Sequence, residues 1–222
     1  MVRSGFRSIA IVVVVFAAAM AYLESTVVVY LHRALGIAPD ALFPLRDPRA
    51  VADLATIEVG RELATLVMLA AIGWIAGRSA PERLAWAAVA FGTWDVGYYG
   101  WLLVISGWPS SLETWDLLFL FPVPWVGPVW APLTVSVALI GFGLAAARRY
   151  RAGGTIPIGP RRAAAGAAGG ALVIASFTLD TGRIMGGGVP TSFPWPIFAA
   201  GMLVAIAAAV SALWQPSGSI SR

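Results

Sequence analysis

The sequence predicts an all-α, polytopic integral membrane protein. The expected architecture is a bundle of about six transmembrane helices, with a Pro-broken re-entrant or interfacial segment before the fourth. Three observations predict it. Of 222 residues, 59% are hydrophobic and only 12% charged, about half the charge of a soluble domain of this size. Mean hydropathy is +0.82. The apolar residues fall into stretches near the roughly 20 residues that cross a bilayer, joined by short loops. The length suits a single transmembrane domain, residues 1–222.

The first span is expected at residues 8–31. A cleavable signal peptide competes: Arg3 and Arg7 precede the apolar run, and Ala17-Ala18-Ala19 or Ala19-Met20-Ala21 resembles a cleavage site. The run continues through Val27 to Leu31, long enough to span, which favours a retained helix. A loop with Pro39, Pro44 and Pro48 follows, from His32 to Ala50. The second span covers 51–76. A tight polar turn with Arg78, Glu82 and Arg83 leads to the third, 84–106. Ser110 and Glu113 have capping-box spacing, so a helix start is expected there.

The stretch from Asp116 to Ala147 is too long for one span and holds Pro122, Pro124, Pro128 and Pro132. An interfacial or re-entrant piece over Thr114–Phe121, a Pro-rich break and a fourth span at 125–147 account for it. Three of the prolines, Pro124, Pro128 and Pro132, recur every four residues and would share a helix face; a kinked helix start accounts for them as well. The fifth span, 163–185, carries Gly166, Gly169 and Gly170, which suit close packing. The sixth covers 196–214.

The arginines predict orientation. Arg3, Arg7, Arg78, Arg83, Arg148, Arg149, Arg151, Arg161, Arg162 and Arg222 fall on one side, and Arg33, Arg46, Arg49 and Arg183 on the other. The positive-inside bias puts both termini in the cytoplasm of a cell (inner) membrane protein.

Composition excludes much chemistry. There is no cysteine, hence no disulfide, thiolate metal site or iron–sulfur cluster. All fifteen basic residues are Arg, so no lysine Schiff base can form. The single histidine, His32, rules out bis-histidine haem ligation within one chain. No basic-aromatic stripe points to nucleic acid. Nucleophile-elbow and P-loop motifs are missing.

The informative residues are acids in lipid-grade stretches: Glu24, Glu58, Glu62, Asp95 and Asp180. An ionised carboxylate there is costly unless paired, protonated or metal-bound. The predicted topology puts all five in or near one half of the membrane, with Asp116 at the outer surface. Glu58, Arg61, Glu62 and Thr65 share one helix face. So do Glu24 and His32, and so do Asp95, Tyr98 and Tyr99. Structural pairing accounts for Glu58 or Glu62 with Arg61 and for Asp180 with Arg183. It leaves Glu24 and Asp95 without a basic neighbour on their own helices. The hexads Thr56–Arg61 and Thr178–Arg183 share the pattern Thr, aliphatic, acid, any, Gly, Arg. One begins its span and the other ends it, which argues against duplication of a three-helix unit.

The acids predict a buried, outward-facing cation site, and three functions fit it. The first is a metal-dependent enzyme acting on a lipid-soluble substrate. Its divalent metal would be held by Glu24, Glu58, Glu62, Asp95 and His32, with Glu58, Glu62 and Asp95 carrying the chemistry. Arg61, Tyr98, Tyr99, Asp116, Asp180 and Arg183 would be supporting or ion-paired residues. The second is a proton- or cation-coupled transporter or channel. The third is an accessory subunit, bound to a partner membrane subunit.

Overall fold

The computed structural model describes residues 5–36, 48–186, 188 and 190–214, the side chains of 48–54 excepted. Among these, six helices of 19 residues or more form the body: α1 (Phe6–Leu35), α2 (Pro48–Ala76), α3 (Ala80–Ser106), α4 (Trp130–Arg151), α5 (Pro160–Thr178) and α7 (Trp195–Leu213). A short helix α6 (Thr181–Met185) and two strands, β1 (Trp115–Phe119) and β2 (Trp125–Pro128), complete it. Five of the long helices are long and apolar enough to cross a membrane, α3 being the exception. It has the length, at 27 residues, but Asp95 and the glycines, tyrosines and tryptophans around it lower its hydropathy. The chain is a multi-pass membrane protein.

Local chemistry sets the helix ends. Gly36 closes α1 at φ 65°, donating its N–H to the Arg33 carbonyl. Ser79 caps α3, accepting the Glu82 N–H, with Pro81 in the first turn. Helix α3 therefore starts four residues before the expected span.

The segment before α4 departs from the all-α expectation. It is an antiparallel hairpin that pairs Trp115 with Pro128, Asp116 with Gly127 and Leu117 with Val126, with an irregularity before Phe119 pairs with Trp125. The prolines explain it. Each removes an N–H and pushes the preceding residue out of the helical region. Phe121 and Val123 accordingly sit in the bends between the strands and Gly127 in β2, so Pro124, Pro128 and Pro132 share no helix face. Helix α4 begins only at Trp130, with Pro132 tolerated in its first turn. The expected helix start at Ser110 is instead a turn in which the Ser111 N–H donates to Thr114 Oγ1 at 3.1 Å.

Helix α3 is the centre. It packs against α1, α2 and α4, whereas α1 and α2 touch each other little. The core joins Val13, Ala17, Met20 and Ala21 of α1 with Trp86, Val89 and Ala90 of α3 and Leu69 of α2. Gly92 lets α4 come close: a Cβ there would stand 2.5 Å from the Ser136 carbonyl oxygen. Helices α5 and α7 form a second pair, crossing where Gly169 meets Gly201 and Ala205. Of the three glycines expected to pack closely in α5, Gly166 and Gly170 face open space. An aromatic cluster including Phe177, Phe193 and Phe198 joins this pair to Ala131 of α4 and to Trp115 and Trp125 of the hairpin.

The two hexads differ. Thr56–Arg61 is continuous helix within α2, whereas Thr178–Arg183 contains the break between α5 and α6. Thr181 ties that break to the hairpin by donating to the Pro124 carbonyl at 2.8 Å. Much of the loop expected over His32–Ala50 lies outside the described residues, and α1 and α2 extend into both its ends.

Candidate functional site

Helices α1, α2 and α3, at their ends nearest the α1–α2 connection, and the hairpin's first strand and turn enclose a space. Between them is a cavity of about 490 Å³. Leu35, Ala55 and Ser106 line its upper end, whereas Glu24, Thr65 and Asp95 line it ten or eleven residues deeper on the same helices. At 1.5 Å per residue the floor is about 15–16 Å below the helix ends. That is half of the roughly 30 Å hydrocarbon layer.

The polar wall belongs to α1 and α2. Arg61 bridges two acids: its Nη1 pairs with Glu24 Oε2, and its Nε and Nη2 each reach Glu58 Oε2 at 2.8 Å. Thr65 donates to the other Glu24 oxygen. Helical spacing makes this possible, since 58, 61, 62 and 65 share one face.

Glu62 does something else. The Leu120 N–H donates to its two oxygens at 2.8 and 3.0 Å, and the Phe121 N–H donates to Oε2 at 3.2 Å. Away from water an unpaired amide is costly. Glu62 satisfies two of them and anchors the hairpin to α2.

The opposite wall is aromatic. Trp94 stacks with Tyr98 at 6.3 Å, Tyr98 meets Tyr99 edge-on at 5.2 Å, and Phe119 of the hairpin lies 6.4 Å from Trp94. The Tyr99 hydroxyl donates to Asp116 Oδ2 at 2.8 Å, and the Leu117 N–H donates to Oδ1 at 2.8 Å. Burial pushes the Asp116 carboxyl up to about 6, against those two hydrogen bonds, which favour its charged form.

Asp95 stands apart. It is 7% exposed. Ser136 of α4 donates to its Oδ2 at 2.8 Å. Among the described residues its Oδ1 has no hydrogen-bond partner, Asp95 forms no ion pair, and the residue lines the cavity. The Tyr98 hydroxyl nearby likewise has no hydrogen-bond partner among them.

Glu24, Glu58, Glu62, Asp95, Asp116, His32, Arg61, Tyr98 and Tyr99 thus line one cavity. Asp180 and Arg183 do not. They form no ion pair with each other among the described residues, and the break between α5 and α6 falls at Leu179–Asp180. Asp180 instead buries an unpartnered Oδ2. Among the described residues no three His, Asp or Glu side chains are grouped so as to hold one metal ion. Arg61 draws Glu24 and Glu58 together, and the hairpin amides occupy Glu62.

Two features escaped the sequence reading. One is Ser136, a small hydroxyl on α4 whose only signal was its polarity within an apolar run. The other is a second buried ion pair at the far end of α3. Arg151 Nε reaches Glu82 Oε1 at 2.8 Å, Trp86 Nε1 donates to the same oxygen at 3.3 Å, and the Arg78 N–H donates to Oε2 at 3.0 Å.

The chain matches no protein-family model, and no curated protein or solved structure matches it.

Proposed function

We propose that this protein binds a membrane-borne amphiphile through a cationic, ammonium-type head placed on Asp95. The carrying observation is that carboxylate: buried, bonded on one oxygen only, and without a guanidinium partner in the described structure. Five carboxylates line the cavity (Glu24, Glu58, Glu62, Asp95, Asp116) against two guanidiniums (Arg33, Arg61). Such an imbalance at membrane depth calls for a cation or bound protons. The aromatic wall of Trp94, Tyr98 and Phe119 suits an organic cation, which gains from ring faces. Val28, Val29, Leu31, Leu102 and Ile105 offer an apolar shaft for its chain.

This reading takes the protein as a six-span bundle, α3 included, in the cell membrane with both termini cytoplasmic. The arginine bias supports it. So does the tight α2–α3 connection, which turns α3 back across the layer that α2 crosses. The cavity then opens outward. Cysteines placed at Ser111 and Ser192 should label from outside, and labelling only from the cytoplasm would refute the orientation. Whether the bound amphiphile is also transformed or carried depends on Asp95 and Tyr98, the polar groups left free to exchange a proton with it.

The test is calorimetric titration of the purified protein with dodecylamine, dodecyl sulfate and a divalent metal salt. Dodecylamine should bind, and Asp95→Asn should weaken it by about tenfold or more, the loss of one charge-assisted hydrogen bond. Equal binding of the sulfate would sink the reading. Tight metal binding lost in Asp95→Asn would replace it with a metal site.

A further inference from the structure

The cavity is charged differently at its two ends. Its deep part carries Glu24, Glu62 and Asp95, and its mouth carries Arg33 and His32, the remaining α2 acid, Glu58, being paired with Arg61. Arg33 is exposed in the last turn of α1 and forms no ion pair with any described residue. It follows Glu24 by nine residues on one helix, so the rim stands about 14 Å above the acidic layer. Between the two levels α1 and α3 present an apolar wall, Val28, Val29 and Leu31 on one side and Leu102 and Ile105 on the other, while on α2 Glu58 is paired with Arg61.

A cation with a plain hydrocarbon tail matches only the lower half of this pattern. It must pass the Arg33 guanidinium at the mouth, and its tail then leaves that charge without a partner among the described residues. An anionic group on the tail would remove both disadvantages. Arg presents a fork of donors suited to a carboxylate or a phosphate, and it keeps its charge at any physiological pH.

We propose that the cavity selects an amphiphile charged at both ends, with an ammonium at the Asp95 floor and an anionic group held by Arg33 at the rim. Arg33 is thereby a specificity-determining residue. The inference rests on the cation-binding reading above and adds the second contact and the spacing. The spacing excludes compact zwitterions, whose charges are too close together to reach from floor to rim.

Three probes separate the possibilities: dodecylamine, ω-aminododecanoic acid and the short ω-aminohexanoic acid. They are titrated at neutral pH into wild type, Arg33→Gln and Arg33→Lys. The long amino acid should bind wild type about tenfold more tightly than dodecylamine, one charge-assisted contact's worth. That ratio should fall to about one in Arg33→Gln and recover most of its value in Arg33→Lys. The short acid should show no gain over dodecylamine. Arg33 also complements the C-terminal end of the α1 dipole. That role would lower stability in Arg33→Gln without moving the ratio, so an unmoved ratio overturns the proposal. Dodecylamine binding with no advantage for the long amino acid also overturns it and leaves the cation reading standing. Binding of neither long probe removes both.

Discussion

Helix α3 buries two carboxylates, Glu82 near its start and Asp95 thirteen residues on, about 20 Å apart along the axis. They are nearly equal in exposure, 2% and 7%. Their surroundings are opposite. Glu82 is saturated: the Arg151 guanidinium, the Trp86 indole and the Arg78 amide all donate to it, and Arg151 also donates to the Ala76 carbonyl at 2.7 Å. Asp95 has one hydroxyl for a partner and faces a cavity. Burial of an acid therefore does not distinguish a joint from a site; the count of its unmet hydrogen-bonding oxygens does. Glu82 ties the α2–α3 turn to the end of α4. Asp95 has capacity to spare.

The comparison breaks most easily at Glu82. Replacing it with Ala removes the carboxylate that the buried Arg151 guanidinium pairs with, a loss of about 3–5 kcal/mol. Asp95→Asn, by contrast, should cost under about 1 kcal/mol, because Ser136 can still donate to the amide oxygen. Thermal melts of both variants in one detergent decide this, and a larger drop for Asp95→Asn would reverse the assignment.

Next in size is Gly92→Val. Its Cβ would stand 2.5 Å from the Ser136 carbonyl oxygen, and separating α3 from α4 should cost about 1–3 kcal/mol. It should also pull Ser136 from Asp95, so amphiphile binding and melting temperature fall together. Loss of stability with binding unchanged would show that Ser136 does not position Asp95.

Glu62→Gln comes third. It keeps an acceptor for the Leu120 and Phe121 amides but removes the charge, which should cost about 1 kcal/mol. The change should appear as faster amide exchange at Leu120 and Phe121, with α3 and α4 unaffected. Unchanged exchange there would deny Glu62 its anchoring role.

The smallest effect is confined to the hairpin. A carboxyl raised to about 6 holds its proton more tightly in the folded hairpin than in an unfolded chain, where Asp titrates near 3.9. The contribution of Asp116 is thus fully present below about pH 4 and is lost as pH rises through about 6. Infrared difference spectra should show a protonated carboxyl at pH 5 that disappears by pH 7 and is missing in Asp116→Asn. A carboxylate band at pH 5 would contradict it.

The sequence carries the parts of this architecture that depend on neighbours along the chain. Helix locations followed from apolar run length, and the shared face of Glu58, Arg61, Glu62 and Thr65 followed from helical period. The pairing of Glu24 with Arg61 did not, since 37 residues separate them. Arg151 with Glu82, 69 apart, was equally invisible, and a charged residue at a span end reads as a loop. The prolines were visible, but their four-residue spacing suggested a helix face, whereas each one acted locally on the residue before it. Asp180 looked like a member of the site because the predicted topology put it in the same half of the membrane as the other acids. A break after Thr178 gave its hexad a different backbone from the matching one in α2.

The hairpin bears on biogenesis. Its turn amides at Leu120 and Phe121 are satisfied by a side chain of α2 and not by their own ladder. A segment with such open amides cannot enter hydrocarbon by itself. Its two turn amides meet their acceptor only once α2 is in place beside them, and β2 leads directly into α4. Synthesis from the N-terminus meets that requirement, because Glu62 leaves the ribosome 58 residues before Leu120. A permuted chain that began at α3 would deliver the hairpin before its acceptor and leave the Leu120 and Phe121 amides without Glu62 until α2 followed.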